Sequence, residues 1–473
     1  MTMIMKHYDV LIIGAGQAGI PLARKLAESG RRVALAERKH LGGSCVNFGC
    51  TPTKAVLASA RVVHLAQRAA DFGIRLPPAE IDFFKVLQRA RKIVEESKTG
   101  LHKGLSDCGA DVLRGQARLT GRAESGFSFA VDGTIGTAEQ VVINTGARTR
   151  LPPIEGLADV PYLHAGNWLD GDALPEHVVF AGAGSIALEM AQFYRRLGSR
   201  VTVVGAGRHV ASREDPDVAD ALQRVLEGEG VSFRLNTRVQ AVAATATGVS
   251  VTVKSDENYR QIAASHLFVA AGRKPNTDDA GLETVGVEID DHGFLKVAEN
   301  LATTVSGIWA AGDVRGGPMF THTSWDDHRV LESQLLGDGT RTTAGRVVPY
   351  AIFTDPQLGR VGLTEDEARN LHGQHTRCAT FEMKHNGKAA EIGEPAGFIK
   401  LIADARDGRL LGAAVLAAEG AELVAAYITL MNAGATLPAI CGGIYIHPTL
   451  SEAVQSAALA LDLQIRSTLM TSQ

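Results

Sequence analysis

Tyr8-Asp9-Val10-Leu11-Ile12-Ile13-Gly14-Ala15-Gly16-Gln17-Ala18-Gly19 is an apolar run that stops at a cluster of glycines. The run reads as a strand, and a helical pattern continues from the glycines through Leu26. A second strand, Arg32-Val33-Ala34-Leu35-Ala36, ends on Glu37. Strand, glycine turn, helix, strand and acid in this order make a dinucleotide-binding unit. The glycines let the backbone approach a pyrophosphate, the helix N-terminus attracts it, and the acid binds a ribose hydroxyl.

The pattern returns at His177-Val178-Val179-Phe180, followed by Gly182-Ala183-Gly184-Ser185-Ile186-Ala187, a helix through Leu197 and a strand from Arg200 to Val204. Two units imply two dinucleotides. Gly14 and Glu37 stand 23 positions apart, and 23 positions after Gly182 stands Gly205. The acid that would repel a 2′-phosphate is missing there, and Arg208, His209 and Arg213 follow. The second unit therefore suits NADPH better than NADH. The competing reading is that these bases merely face solvent.

Between the two units lies Gly42-Gly43-Ser44-Cys45-Val46-Asn47-Phe48-Gly49-Cys50-Thr51-Pro52-Thr53-Lys54. Thr51-Pro52 suits a helix start, which puts Cys50 at the positive end of a helix dipole with Lys54 one turn on. Both features favour a thiolate at Cys50. A disulfide needs Cα atoms about 4.4 to 6.8 Å apart, whereas five residues of regular helix climb about 7.5 Å. Cys45 must then lie in a bent lead-in, with Gly49 as the residue able to bend. A plant-type iron-sulfur site wants a cysteine where Thr53 stands, and zinc wants a second ligand pair, whereas Cys108, Cys378 and Cys441 are scattered singly. Two inert buried cysteines remain the plain alternative.

A chain of 473 residues needs several cores, and 45% hydrophobic with 21% charged residues is the balance of a globular enzyme or binding protein. A net charge of -4 argues against nucleic acid or an anionic membrane as the main partner. Met1 to Asp9 hold no apolar run of signal-peptide length, and no long apolar stretch follows, so a cytosolic protein is expected. In a reducing compartment a close cysteine pair is more often catalytic than structural.

After the cysteine pair, helical patterns run from about Lys54 to Ala70 and from Ile81 to Ser106. Strand signals follow at Asp111 to Leu119, Phe127 to Val131 and Gln140 to Asn144, with Asp132-Gly133 as a hairpin signal. Leu151-Pro152-Pro153 reads as a crossing into the second unit, which Phe268 to Asn276 closes. Gly307 to Asp313 is a further strand ending in Gly312-Asp313. From about Val347 the pattern changes to strand-like runs and then alanine-rich helices, ending at Ile446-His447-Pro448-Thr449-Leu450-Ser451-Glu452.

This set of motifs, covering nearly the whole length, resembles the flavin-dependent pyridine nucleotide-disulfide oxidoreductases, the group of glutathione reductase, dihydrolipoamide dehydrogenase and mercuric reductase. The resemblance implies an α/β fold with two Rossmann-like domains and a C-terminal α+β dimerisation domain. FAD would be bound by residues 1–149 and 273–345, NAD(P) by 150–272, and 346–473 would form the interface of a homodimer. Gly14, Gly16, Gly19, Glu37, Gly43, Ser44, Lys54, Thr145, Gly146, Gly312 and Asp313 would hold FAD. Gly182, Gly184, Ile186, Glu189, Arg208 and Gly272 would hold the nicotinamide nucleotide. The resemblance also implies that Cys45 and Cys50 form the redox-active disulfide, with Cys50 nearer the flavin and Cys45 attacking the substrate. His447, oriented by Glu452, would protonate the leaving thiolate from across a dimer interface. Lys54 and Glu189 resemble the pair that adjusts the flavin.

The acceptor divides the family. Cys45 to Cys50 and Arg213-Glu214-Asp215-Pro216 look most like mercuric reductases, yet no cysteine follows Cys441 to hand over a metal ion, and His447 is present. Tyr445 stands where dihydrolipoamide dehydrogenases usually carry another histidine. A small disulfide is the favoured substrate, with mercuric ion or dihydrolipoamide as alternatives, and a redox-sensing flavoprotein as the reading outside enzymes.

Overall fold

Val10 to Ile13 are all but inaccessible, so the strand Lys6–Ile13 is covered on both faces, as in the middle of a parallel sheet flanked by helices. The computed structural model describes residues 6–256 and 258–471; Met1 to Met5, part of the N-terminal reading above, lie outside them. Lys6–Ile13 pairs in parallel with Val33–Glu37 on one side and with Thr134–Ile143 on the other. Asp111–Arg114 extends the first edge, and Ile308–Ala310 returns from far along the chain to pair with Thr134–Ile143. The helix Gly19–Glu28 crosses between the first two strands.

The hairpin signal holds. Asp132 and Gly133 have φ of 36° and 88°, as a two-residue loop that matches strand twist requires, and Val131 faces Thr134. The strand expected over Asp111 to Leu119 is two strands, Asp111–Arg114 and Ala117–Arg122. Between them Gly115 has φ +136°, and an added Cβ would fall 2.3 Å from the Asp132 carboxylate. The first piece belongs to the parallel sheet and the second opens an antiparallel meander, so the apolar pattern runs on while the chain changes partners.

The second sheet is parallel, in the order Ser232–Arg234, Arg200–Val204, His177–Ala181, His266–Val269, Leu163–His164. Ala147–Thr149 and Arg273–Pro275 run antiparallel where the chain passes between the two sheets. Apart from a small antiparallel sheet of Arg238–Thr245, Gly248–Ser255 and Asn258–Ala264 in the second unit, the third large sheet is antiparallel, formed by Tyr350–Ile352, Gln357–Gly362, Leu410–Ala417, Phe398–Asp404 and Thr376–Glu382, with the helices Gly420–Asn432 and Glu452–Thr471 packed on it. The architecture is the expected one: two Rossmann-like units and a C-terminal α+β unit.

One apolar cluster joins all three parts. Val56 and Ala60 of the helix Cys50–Gln67 pack with Leu188 and Ala191 of the second unit and with Leu358 and Leu416 of the third sheet. Burial of this kind stabilises by roughly 25 cal/mol per Å² of apolar surface. It therefore fixes the helix that opens with Cys50 against both neighbours. Among the described residues no helix is long and apolar enough to cross a membrane.

Candidate active site

Cys45 lies in the short helical turn Gly43–Asn47, and Cys50 opens the helix Cys50–Gln67. Asn47 Nδ2 ties the turn by donating to the Leu41 carbonyl at 2.9 Å and the Gly43 carbonyl at 2.8 Å. Gly49 makes the bend: its N–H donates to Ser44 O at 2.7 Å, and an added Cβ would fall 2.8 Å from the same oxygen. Both cysteines are free thiols, and they are hydrogen-bonded to each other.

The hydrogen bond from Cys45 is the main reason that the Cys50 thiol is lowered to about 6; burial opposes it, while the Thr321 hydroxyl and the Lys54 charge assist. Cys45 is driven strongly upward by the same hydrogen bond and then by burial. The negative charge therefore sits on Cys50, in the direction that the helix start and Lys54 predict. Its largest source is the partner thiol; Lys54 assists less, and it is paired at 2.9 Å with Glu189, whose own charge disfavours the thiolate. Cys50 is exposed because it faces an open cavity, although protein crowds it on its other sides.

That cavity measures about 1970 Å³, roughly twice the upper range for a drug-sized ligand. It has room for more than one nucleotide. On its wall stand Cys45, Cys50, Lys54, Gly14, Gly16, Glu37, Gly43, Ser44, Thr145, Gly146 and Asp313 beside Gly182, Gly184, Ile186, Glu189 and Gly272. Gly19 and Gly312 lie behind the wall, and Arg208 is an exposed residue off it, whereas His209 and Arg213 do line it. His209 Nδ1 is 2.7 Å from Asp220 Oδ1. His447 and Glu452 lie off this wall too, paired at 2.9 Å with the histidine on the surface. Glu452 is held below its usual range by the Thr449 N–H and then by His447.

The wall fits FAD. Gly14 has φ +108° and its Cβ would fall 2.3 Å from Asn144 O, while a Cβ on Gly43 would stand 3.1 Å from Gly16 Cα. Bare backbone thus faces the place of a pyrophosphate. Glu37 is aimed by backbone N–H groups, Ala15 donating at 2.9 Å and Lys39 at 2.7 Å. Burial raises the Asp313 carboxyl and Arg273, 3.0 Å away, counters it; the buried Arg273 Nε has no partner within the protein. A donor left unpaired in such a place calls for an acceptor from a bound group.

Residues 8–327 match the family model of the pyridine nucleotide-disulphide oxidoreductases, and residues 348–458 match that family's dimerisation domain. The chain belongs to this family. It is 34% identical to a dihydrolipoyl dehydrogenase of Cupriavidus necator, over 97% of this chain and 98% of that one. It is also 34% identical to the probable pyridine nucleotide-disulfide oxidoreductase RclA of Escherichia coli, over 95% and 98%. A mercuric reductase of Streptomyces lividans is 32% identical over 96% and 97%. The solved HOCl-induced flavoprotein disulfide reductase RclA of Escherichia coli superposes with a TM-score of 0.86 at 33% identity, covering 96% of this chain and 99% of that one. This family member is an FAD-dependent oxidoreductase of the disulfide type that also takes a pyridine nucleotide.

Three contributors escape a reading of the sequence. Asn144 braces the first glycine turn: its Oδ1 accepts from Gly19 N at 2.9 Å and its Nδ2 donates to Ala311 O at 2.7 Å. Asp327, fully buried, accepts from Gly312 N at 2.7 Å and holds Arg315 and Arg346. Thr321 Oγ1 lies 3.2 Å from Cys50 Sγ. The partners of Asn144 and Thr321 are more than 100 residues away and those of Asp327 12 to 19; only the position of Asn144, at the end of a strand beside the glycines, was a usable signal.

Proposed function

We propose that this protein is a homodimeric, cytosolic, NADPH-dependent reductase of small disulfides. The observation that carries the reading is the placing of the sulfur pair: Cys45 and Cys50 stand on one cavity wall, and Cys50 opens a helix with the Thr321 hydroxyl 3.2 Å from its sulfur, in surroundings that lower the Cys50 thiol and raise that of Cys45. Residues 1–149 and 273–345 then form the FAD domain, 150–272 the NADPH domain and 346–473 the interface domain. This partition is supported by the pairing of Ala147–Thr149 with Arg273–Pro275 and by the return of Ile308–Ala310 to the first sheet. NADPH is favoured by Gly205 in the place of an acid, with His209 and Arg213 on the wall and Arg208 near them in sequence. The cytosol is favoured by the cysteine pattern, in which Cys108, Cys378 and Cys441 are scattered singly and make no structural disulfide framework.

FAD, when bound, supplies the two-electron link between the nicotinamide and the sulfurs. The reduced sulfur pair carries one proton and one negative charge. Cys45 passes its proton to His447 of the partner subunit and attacks a substrate disulfide, forming a mixed disulfide and expelling a thiolate. His447 of the partner subunit gives that thiolate its proton, with Glu452 fixing the ring through Nδ1. Cys50 then displaces the second thiolate from Cys45 and closes the disulfide; that thiolate takes a proton from solvent, so one substrate disulfide becomes two thiols. The exposed apolar residues Ile444 and Ile446 stand just before His447 in the matched dimerisation region, and Leu459 and Leu463 are exposed just beyond its end, which supports a dimer.

A metal-ion acceptor is the second reading, favoured by the Cu(II) complex reported for the Escherichia coli relative and by the mercuric reductase relative. NADPH consumption by the purified holoenzyme should be followed with disulfides, dihydrolipoamide's oxidised form, mercuric and cupric ions, and quinones. Sustained turnover of a disulfide, lost in Cys45→Ser, is the expected result. A one-to-one mixture of Cys45→Ser and His447→Gln subunits should regain about a quarter of wild-type rate, since half the dimers then hold one complete site. Turnover with metal ions alone, or a single stoichiometric reduction, would overturn the reading.

A further inference from the structure

We infer that Thr321 is a catalytic residue, its hydroxyl donating a hydrogen bond to the Cys50 thiolate and holding the negative charge on that sulfur; this rests on the disulfide-reductase reading above. Thr321 Oγ1 is 3.2 Å from Cys50 Sγ, 271 residues away in the chain. In the dithiol state Cys45 carries the proton, and Cys50 has acceptor capacity that a hydroxyl can meet.

The local fold prepares this contact. Thr321 is the first residue of the helix Thr321–Leu336, so a second helix N-terminus meets the sulfur whose own helix begins at Cys50. Two positive helix ends then face one thiolate. The residues on either side of Thr321 are fixed. Phe320 stacks between His322 and Tyr350, with ring centroids 5.3 and 5.4 Å apart and planes within 9° and 10°. His322 Nε2 lies 2.6 Å from Pro349 O, and the Tyr350 hydroxyl donates to Glu214. A hydroxyl carried between two anchored aromatic side chains costs little ordering when it meets the sulfur. Thr321 keeps its proton throughout; no bond is made or broken at it.

The test uses the holoenzyme, reduced anaerobically by two electron equivalents, with the long-wavelength absorbance that reports a thiolate beside the flavin followed against pH. Thr321→Val keeps the shape and removes the hydroxyl. Its midpoint should rise by about one pH unit relative to wild type, the size of one hydrogen bond to a charged sulfur. Thr321→Ser, which keeps the hydroxyl, should titrate with wild type. The pH profile of iodoacetamide alkylation at Cys50, mapped by peptide, should move in the same direction and does not depend on turnover; Thr321→Ala repeats both measurements should the valine variant not fold. An unmoved midpoint in Thr321→Val and Thr321→Ala, with a band that Cys50→Ser abolishes, overturns the role of Thr321 and leaves the sulfur assignment standing. A band that survives Cys50→Ser overturns both.

Discussion

Gly14 and Gly182 occupy equivalent places in the two nucleotide-binding units. Each has a positive φ, +108° and +124°, and at each an added Cβ would fall 2.3 Å from the oxygen that ends a neighbouring strand, Asn144 O or Ala270 O. Around them the units diverge. Gly16 presses against the Asn144 side chain, at 2.9 Å from an added Cβ, whereas Gly184 has open space. Gly19 fills a place 2.2 Å from Gly14 O that the second unit gives to Ala187. The first unit ends on Glu37 and the second on Gly205. One turn is braced and carries an acid, which suits a cofactor that stays; the other is unbraced and acid-free, which suits a coenzyme that comes and goes.

The brace gives the largest expected effect. Asn144→Ala leaves the Gly19 N–H and the Ala311 carbonyl without a partner, at a cost of about 1–3 kcal/mol each. The variant should lose FAD on dialysis and melt several degrees below wild type as the holoenzyme. Binding of NADPH to the second unit should be unchanged. If FAD retention and melting stay at wild-type level, the two turns differ in appearance only, and the comparison fails.

Gly205→Glu gives the second unit the acid of the first. On the proposal that this unit takes NADPH, the new carboxylate should oppose the 2′-phosphate and lower kcat/KM for NADPH on the order of ten- to a hundredfold while raising it for NADH. The site resists the change in part: an added Cβ stands 2.9 Å from both Ala183 Cβ and Leu235 Cδ2, so these side chains must shift. The ratio of the two coenzymes is the measurement to trust, because a general loss of fit lowers both. A ratio that stays constant would show that Gly205 does not choose the nucleotide.

What the chain disclosed in advance follows the range of the interaction. The glycine turns, the Asp132-Gly133 hairpin, the bend at Gly49 and the helix start at Cys50 are each set by residues within a few positions, and they were legible. Thr321 meets Cys50 from 271 residues away and Asp327 ties Gly312, Arg315 and Arg346 from 12 to 19 residues away, and no local pattern marks either; Asn144 was marked only by its place at the end of a strand beside the glycines. Arg213-Glu214-Asp215-Pro216 is instructive because it reads as a family signature. Two of its residues are structural ties: buried Arg360 meets Glu214 at 3.4 Å and Asp215 at 2.6 Å, joining the second unit to the third sheet. The burial of Glu214 raises its carboxyl, and Arg360 counters it. Lys54 with Glu189 was legible only through the resemblance, since the two residues lie on helices of different units.

That ion pair brings charge from the second unit to the sulfur chemistry of the first, alongside the Trp168 Nε1–H that donates to the Phe48 carbonyl at 2.9 Å, and it gives the smallest effect. Lys54 contributes a positive charge near Cys50 and Glu189 a negative one, and they oppose each other at the thiolate. In the reduced wild type the thiolate band should be full well above about 6, the value to which the Cys50 thiol is lowered, and should fade as the pH falls through it. Lys54→Met removes the charge that favours the thiolate and should move the midpoint up. Glu189→Gln removes the charge that opposes it and should move the midpoint down; glutamine keeps an acceptor for the Phe353 N–H, now 2.9 Å from Glu189 Oε1. Both shifts should be smaller than that of Thr321→Val, and in the double variant they should largely cancel. Shifts of the same sign would mean that the pair acts by holding the helix in place, and that the second unit reaches the sulfurs by packing alone.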